Sequence, residues 1–204
     1  KPSSAASDVY KRQGHELLPV LTKHMVAYAK LHYAFVSNFR SHIAMWPSWT
    51  EVVEWYWGVL CDAAKDGASV SLHHDDDDDM VMYPYRWIVL SLKLLHATLD
   101  RWQRDRPAGT MFAGTSGAQF ELQMVDVLLK TYLRLTPTDL ERWQAHPEQF
   151  AIEEDQGDDE LDIRPAASEL MRALSRHSFR SGKGAAPEVP NVSDYMWMQF
   201  EASA

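Results

Sequence analysis

The sequence predicts an all-α fold. Apolar residues recur at helical spacing through several long segments, while the alternation of a half-buried strand never persists for a useful length. Glycines and prolines, nine and ten of them in 204 residues, are bunched mostly between the apolar stretches, which leaves those stretches long and unbroken.

Taken in order, Lys1 to Gln13 (KPSSAASDVYKRQ) lacks the apolar region of a secretory signal and resembles an in-frame translation of a sequencing adapter. Residues 1–13 are therefore expected to be non-native or disordered, with native sequence beginning at Gly14 and continuing upstream in the natural protein. From Leu18, the series Leu21, Met25, Tyr28, His32, Phe35 and Phe39 predicts a long amphipathic helix ending near Ser41. After Trp46-Pro47, Ser48 and Glu51 form a capping box, and the helix through Val53, Trp57, Leu60 and Ala64 stops at Asp66-Gly67. Residues 68–82 read as a polar loop. A third helix, about Pro84 to Arg104, carries Ile88, Leu92, Leu95, Leu99 and Trp102. Ser116 and Gln119 supply a second capping box, for a helix with Leu122, Val125, Leu129 and Tyr132. Thr136 suits an N-cap, Pro137 the first helical position and Asp139 the third, so a short helix starts there and stops at His146-Pro147. A further helix follows Arg164-Pro165 through Leu170, Met171 and Leu174, and a last amphipathic piece covers Tyr195 to Phe200. These units repeat at roughly 40 residues, the period of HEAT-type solenoids. Residue-level self-similarity is not clear, and a compact helical bundle fits the same pattern.

Composition narrows the function classes. With 46% hydrophobic and 24% charged residues the chain is neither disordered nor fibrous. No apolar run approaches the ~20 residues needed to span a bilayer, so membrane insertion is not expected. The single cysteine, Cys61, cannot close an internal disulfide, and points to a reducing compartment. A formal charge of −9 repels phosphate backbones, which argues against direct nucleic-acid binding and makes basic proteins the natural partners.

Two acidic stretches stand out. His73, His74 and Asp75 to Asp79 carry metal-ligating groups but no ordered ligand spacing, so the 73–79 run reads as a solvated loop and not as a metal site. The second, 148–162, holds Glu148, Glu153, Glu154, Asp155, Asp158, Asp159, Glu160 and Asp162 with no lysine or arginine. Trp143, Phe150 and Ile152 anchor it before and Ile163 and Pro165 after, so it reads as a pinned loop that presents charge to a basic segment. The bland alternative is a solubilising loop. Nucleophile and phosphate-binding motifs are absent, Cys61 reads as a core thiol, and no catalytic residue, metal or cofactor is expected. The aromatic patch of Trp46, Trp49, Trp55, Tyr56 and Trp57 reads mainly as core packing.

The stretch from Tyr132 to Glu154, YLRLTPTDLERWQAHPEQFAIEE, resembles the importin-β (karyopherin) superfamily. The shared pattern is a helix end, Thr136-Pro137, a short helix with Leu140 and Trp143, then Pro147, Glu148 and Phe150. His146 stands where aspartate is more usual. The following LDIRPAASEL, with Arg164 and Pro165, is similar to an "LRP-C-A-E" segment of the importin-eleven branch, called Kap-one-twenty in yeasts; Ile163 replaces leucine, and Ala167 or its neighbour replaces cysteine. The match is sharp from Tyr132 to Leu174 and weaker upstream. It implies a fragment, residues 14–204, of a HEAT-repeat α-solenoid of antiparallel helix pairs. It also implies a receptor shuttling between nucleus and cytoplasm through the nuclear envelope, which binds basic protein cargo, the GTP form of the GTPase Ran and FG-nucleoporins. On that resemblance Trp143 packs the short helix down, and the acidic residues Glu153, Glu154, Asp155, Asp158, Asp159, Glu160 and Asp162 face cargo or Ran. A helical scaffold with no transport role is the alternative.

Overall fold

The computed structural model describes residues 4–39, 42, 46, 48–65, 83–105, 114–135, 137–156, 162–181 and 192–203. Its helices are α1 (Ser4–Asn38), α2 (Trp49–Lys65), α3 (Tyr85–Asp105), α4 (Gly114–Val127), α5 (Pro137–Ala145), α6 (Pro147–Gln156), α7 (Ile163–Ser181) and α8 (Val192–Ser203). Among the described residues there is no strand, so the chain is all-α as its periodicity predicts.

Most boundaries fall where local signals put them. Ser48 lies directly ahead of α2 and Glu51 in its first turn. Helix α1 begins at Ser4, well before Leu18, and carries Pro19 in its interior, where the missing N–H removes one helical bond. Helix α4 begins at Gly114, so Ser116 lies inside it and is not the cap that the Ser116–Gln119 pair predicts.

Helix α3 sits at the centre. It packs along α1 on one side and α7 on another, with α2 also against it. Sandwiching explains why α3 buries far more than the single stripe Ile88, Leu92, Leu95 and Leu99: Trp87, Val89 and Leu94 are buried too. Two polar groups on α3 are accommodated locally. The Ser91 hydroxyl donates to the Trp87 carbonyl (2.7 Å), and the Trp49 indole donates to Thr98 Oγ1 (3.3 Å). That last bond joins the start of α2 to the later part of α3, while Tyr56 stacks on Trp87 near the start of α3, so α2 and α3 run antiparallel. Tyr85 meets the start of α7 and His96 lies 3.8 Å from Glu169, so α3 and α7 run in the same direction.

Helices α1, α3 and α7 thus form one row, and α2, α4 and α8 a second. Trp57 lies edge-on to Phe120, linking α2 to α4, and the Tyr195 hydroxyl donates to Asp126 (3.2 Å), linking α8 to α4. Helix α4 ends in one π-helical turn, Leu128–Tyr132, closed by the Leu133 amide on the Leu128 carbonyl (2.8 Å). The widened turn carries Tyr132, whose hydroxyl donates to the Leu60 carbonyl of α2 (2.7 Å). Burial pushes the Tyr132 phenol far above its ordinary range, which keeps it a donor.

The aromatic patch divides. Trp49, Tyr56 and Trp57 are core residues, whereas Trp46 and Trp55 are exposed. Cys61 is a core thiol, pushed up to about 11 chiefly by burial. The indole N–H groups of Trp57 and Trp87 are buried with no acceptor among the described residues.

Candidate protein-interaction site

The segment that carries both the motif and the acidic residues folds as two short helices. Pro137 opens α5, where a fixed φ and a missing N–H cost nothing, and Asp139 lies in its first turn, favoured by the helix dipole. Helix α5 stops at Ala145 as expected, but the chain does not then enter a loop. Pro147 opens α6 and Glu148 occupies its first turn, so residues that read as a stop also serve as a start. The acidic 148–162 stretch is therefore helical through Gln156, which corrects the expected loop.

The two helices meet at His146, which belongs to neither. The His146 amide donates to the Arg142 carbonyl and the Phe150 amide to the His146 carbonyl, both at 2.9 Å. Across it the Arg142 guanidinium lies 5.9 Å from the centroid of the Phe150 ring, a cation–π contact.

A charged contact ties this arm to the body. Arg164 Nη2 donates to Asp139 Oδ2 at 2.5 Å, with both side chains largely withdrawn from solvent. The start of α5 is thereby fixed to the first turn of α7. Beside it, the Tyr85 hydroxyl donates to Asp162 Oδ1 (2.7 Å) and accepts from the Ile163 amide (3.2 Å), so α3 also helps cap α7. Burial first, then the bond to Asp162, pushes the Tyr85 phenol far up, so it stays protonated.

Trp143 corrects a second expectation. It does not pack α5 down: it is 52% exposed, as are Leu140 at 42% and Ile152 at 53%. The anchor is the polar Asp139–Arg164 pair in the first turn; beyond it α5 and α6 pack mainly on each other. Pro147 and Glu148 are exposed, while Phe150 and Pro165 are half-buried.

Of the acidic residues, Glu153, Glu154 and Asp155 lie on α6, and Asp162 is exposed just ahead of α7, held by Tyr85. Asp158, Asp159 and Glu160, with Thr136 and the whole 73–79 run, lie outside the described residues. Sequence reasoning missed the Asp139–Arg164 pair and Tyr85, whose roles depend on contacts between distant segments and leave no local pattern. Among the described residues, no group of three or more His, Cys, Asp or Glu is placed to hold a metal, and no helix is long and apolar enough to cross a membrane. No protein-family model matches this chain, and no curated protein or solved structure is significantly similar to it.

Proposed function

We propose that this chain is part of an importin-β-type nuclear transport receptor of the importin-eleven branch, built as a HEAT-repeat solenoid. It binds basic protein cargo, Ran in its GTP form and FG-nucleoporins, and it does no covalent chemistry and needs no cofactor. The observation that carries the reading is the stretch Tyr132 to Leu174. Its two motif segments follow one another in sequence and are joined by the Asp139–Arg164 pair, 25 residues apart. That gives the paired segments a structural purpose, the docking of an acidic helical arm on the next helix of the row.

Two further features support the reading. Parallel neighbours α3 and α7, separated by helices of a second row, are what a stack of helical hairpins produces, each repeat touching only its neighbours. The flanking helices also carry exposed apolar residues. Leu17, Val20, Leu21, Tyr28 and Leu31 are exposed on α1, and Trp197 and Met198 on α8. Exposed apolar residues grouped on the flanking helices suit further helices stacked against them.

Retention on immobilised phenylalanine-rich nucleoporin repeats tests the transport reading. Weak, reversible retention that competes with free repeat peptide is expected. A folded chain that passes through without delay belongs to a helical scaffold with no transport role.

A further inference from the structure

We infer that the outer face of the α1–α3–α7 row is a docking surface for an acidic segment of a partner protein. The inference goes beyond the transport reading and does not rest on it.

The charge of this chain is segregated. It totals −9, yet α1 from Leu17 to Asn38 carries Lys23 and Lys30 and no carboxylate. Helix α3 from Tyr85 to Leu99 carries Arg86 and Lys93, again without a carboxylate. Helix α7 holds a single carboxylate, Glu169, against four arginines, one of them the Arg164 tied to Asp139. In the second row, by contrast, α2 carries Glu51, Glu54 and Asp62 against Lys65.

These cations share one side of the row. A helix advances by about 100° per residue, so Lys23 and Lys30 stand roughly opposite His32, whose ring meets Trp49 and Tyr56 of α2. On α3, Arg86 and Lys93 are more than a quarter turn from Trp87 and Thr98, which also meet α2. On α7, Arg172 and Arg176 are exposed and lie on the side of Glu169, three and seven residues on. Glu169 in turn lies 3.8 Å from His96, three residues after Lys93, which joins the cations of both helices into one face. Among the described residues none of these six makes an ion pair, so their charge is not cancelled locally. With His96 and Glu169 level and α3 and α7 running the same way, Arg86 to Arg176 spans about 25 Å. That length suits an acidic helix of about four to five turns, and arginine presents paired donors to its carboxylates. A long polyanion such as duplex DNA overruns this face and meets the acidic remainder of the chain.

The test titrates the chain into a fluorescein-labelled, glutamate-rich helical peptide and follows its anisotropy. Binding that weakens as salt rises is expected. Lys93→Glu with Arg172→Glu should weaken it by about tenfold or more, and so should Lys23→Glu with Lys30→Glu on α1. Lys65→Glu with Arg134→Glu, exposed positions on other elements, makes the same change in net charge and should leave affinity within about twofold. A thermal melt of each variant checks that it is folded, and the two reversals on the face read the same surface independently. Equal weakening by all three pairs means that net charge alone is felt, and overturns the inference. Duplex DNA of equal charge binding as tightly as the peptide overturns the choice of an acidic protein segment. No binding of the peptide by folded chain overturns the surface altogether.

Discussion

Asp139 and Arg164 meet with both side chains mostly out of water, where breaking a pair is costly because the survivor keeps its desolvation penalty. Arg164→Ala removes the guanidinium partner of the Asp139 carboxylate and is expected to destabilise the chain by about 2–3 kcal/mol, somewhat less than a fully buried pair because Arg164 keeps some solvent. Urea titration checks this, and an unchanged midpoint contradicts the tether. His32 gives a pH prediction. Its Nδ1 lies 2.9 Å from the Tyr56 hydroxyl, its ring meets Trp49 and Tyr56 edge-on, and Tyr28 lies alongside. None of these is a carboxylate, and burial lowers its pKa below the ordinary 6.5. The unfolded chain therefore binds the proton more readily. Stability from this residue is complete above 6.5 and is lost as pH falls through the lowered folded value. Urea midpoints taken above and well below that window should differ in wild type and differ less in His32→Gln. Equal pH dependence in both contradicts the assignment.

At the scale of elements, α3 and the α5–α6 arm are opposites. Trp87 of α3 is fully buried against Tyr56, Trp55 and Tyr83, so Trp87→Ala should cost about 3–5 kcal/mol. Trp87→Phe should cost much less, since it keeps a ring and discards a buried N–H with no acceptor among the described residues. Trp143→Ala on the arm should change stability by less than about 0.5 kcal/mol. Chemical denaturation of the three variants separates core from surface tryptophan, and a large loss at Trp143 would mean that the ring does pack.

These elements also show what a sequence discloses. Ile88, Leu92, Leu95 and Leu99 were legible because a helix's period is local, and Ser48 and Pro137 because capping is local too. The 148–162 stretch was not, because Pro147 and Glu148 fit a helix start as well as a stop, and charge density alone does not distinguish a loop from an exposed helix. The exposure of Trp143 was hidden for another reason. Whether an aromatic packs depends on what lies opposite, and the anchor chosen here is a carboxylate and a guanidinium.

For the whole molecule, helix content was legible but the order of packing was not. Tyr85 reaches Asp162 across 77 residues, and no periodicity reveals such a contact. Placing α3 between α1 and α7 is a property of the assembled rows, as is the exposure of apolar residues on α1 and α8. On the proposed reading those faces stack against further repeats and the acidic arm is presented from the row for a basic partner. The central claim is that this stack serves a transport receptor. The most direct test is binding of the complete protein to Ran loaded with GTP and, in parallel, with GDP. Selective binding of the GTP form is the predicted result; a folded protein that binds neither form, or both equally, contradicts the account.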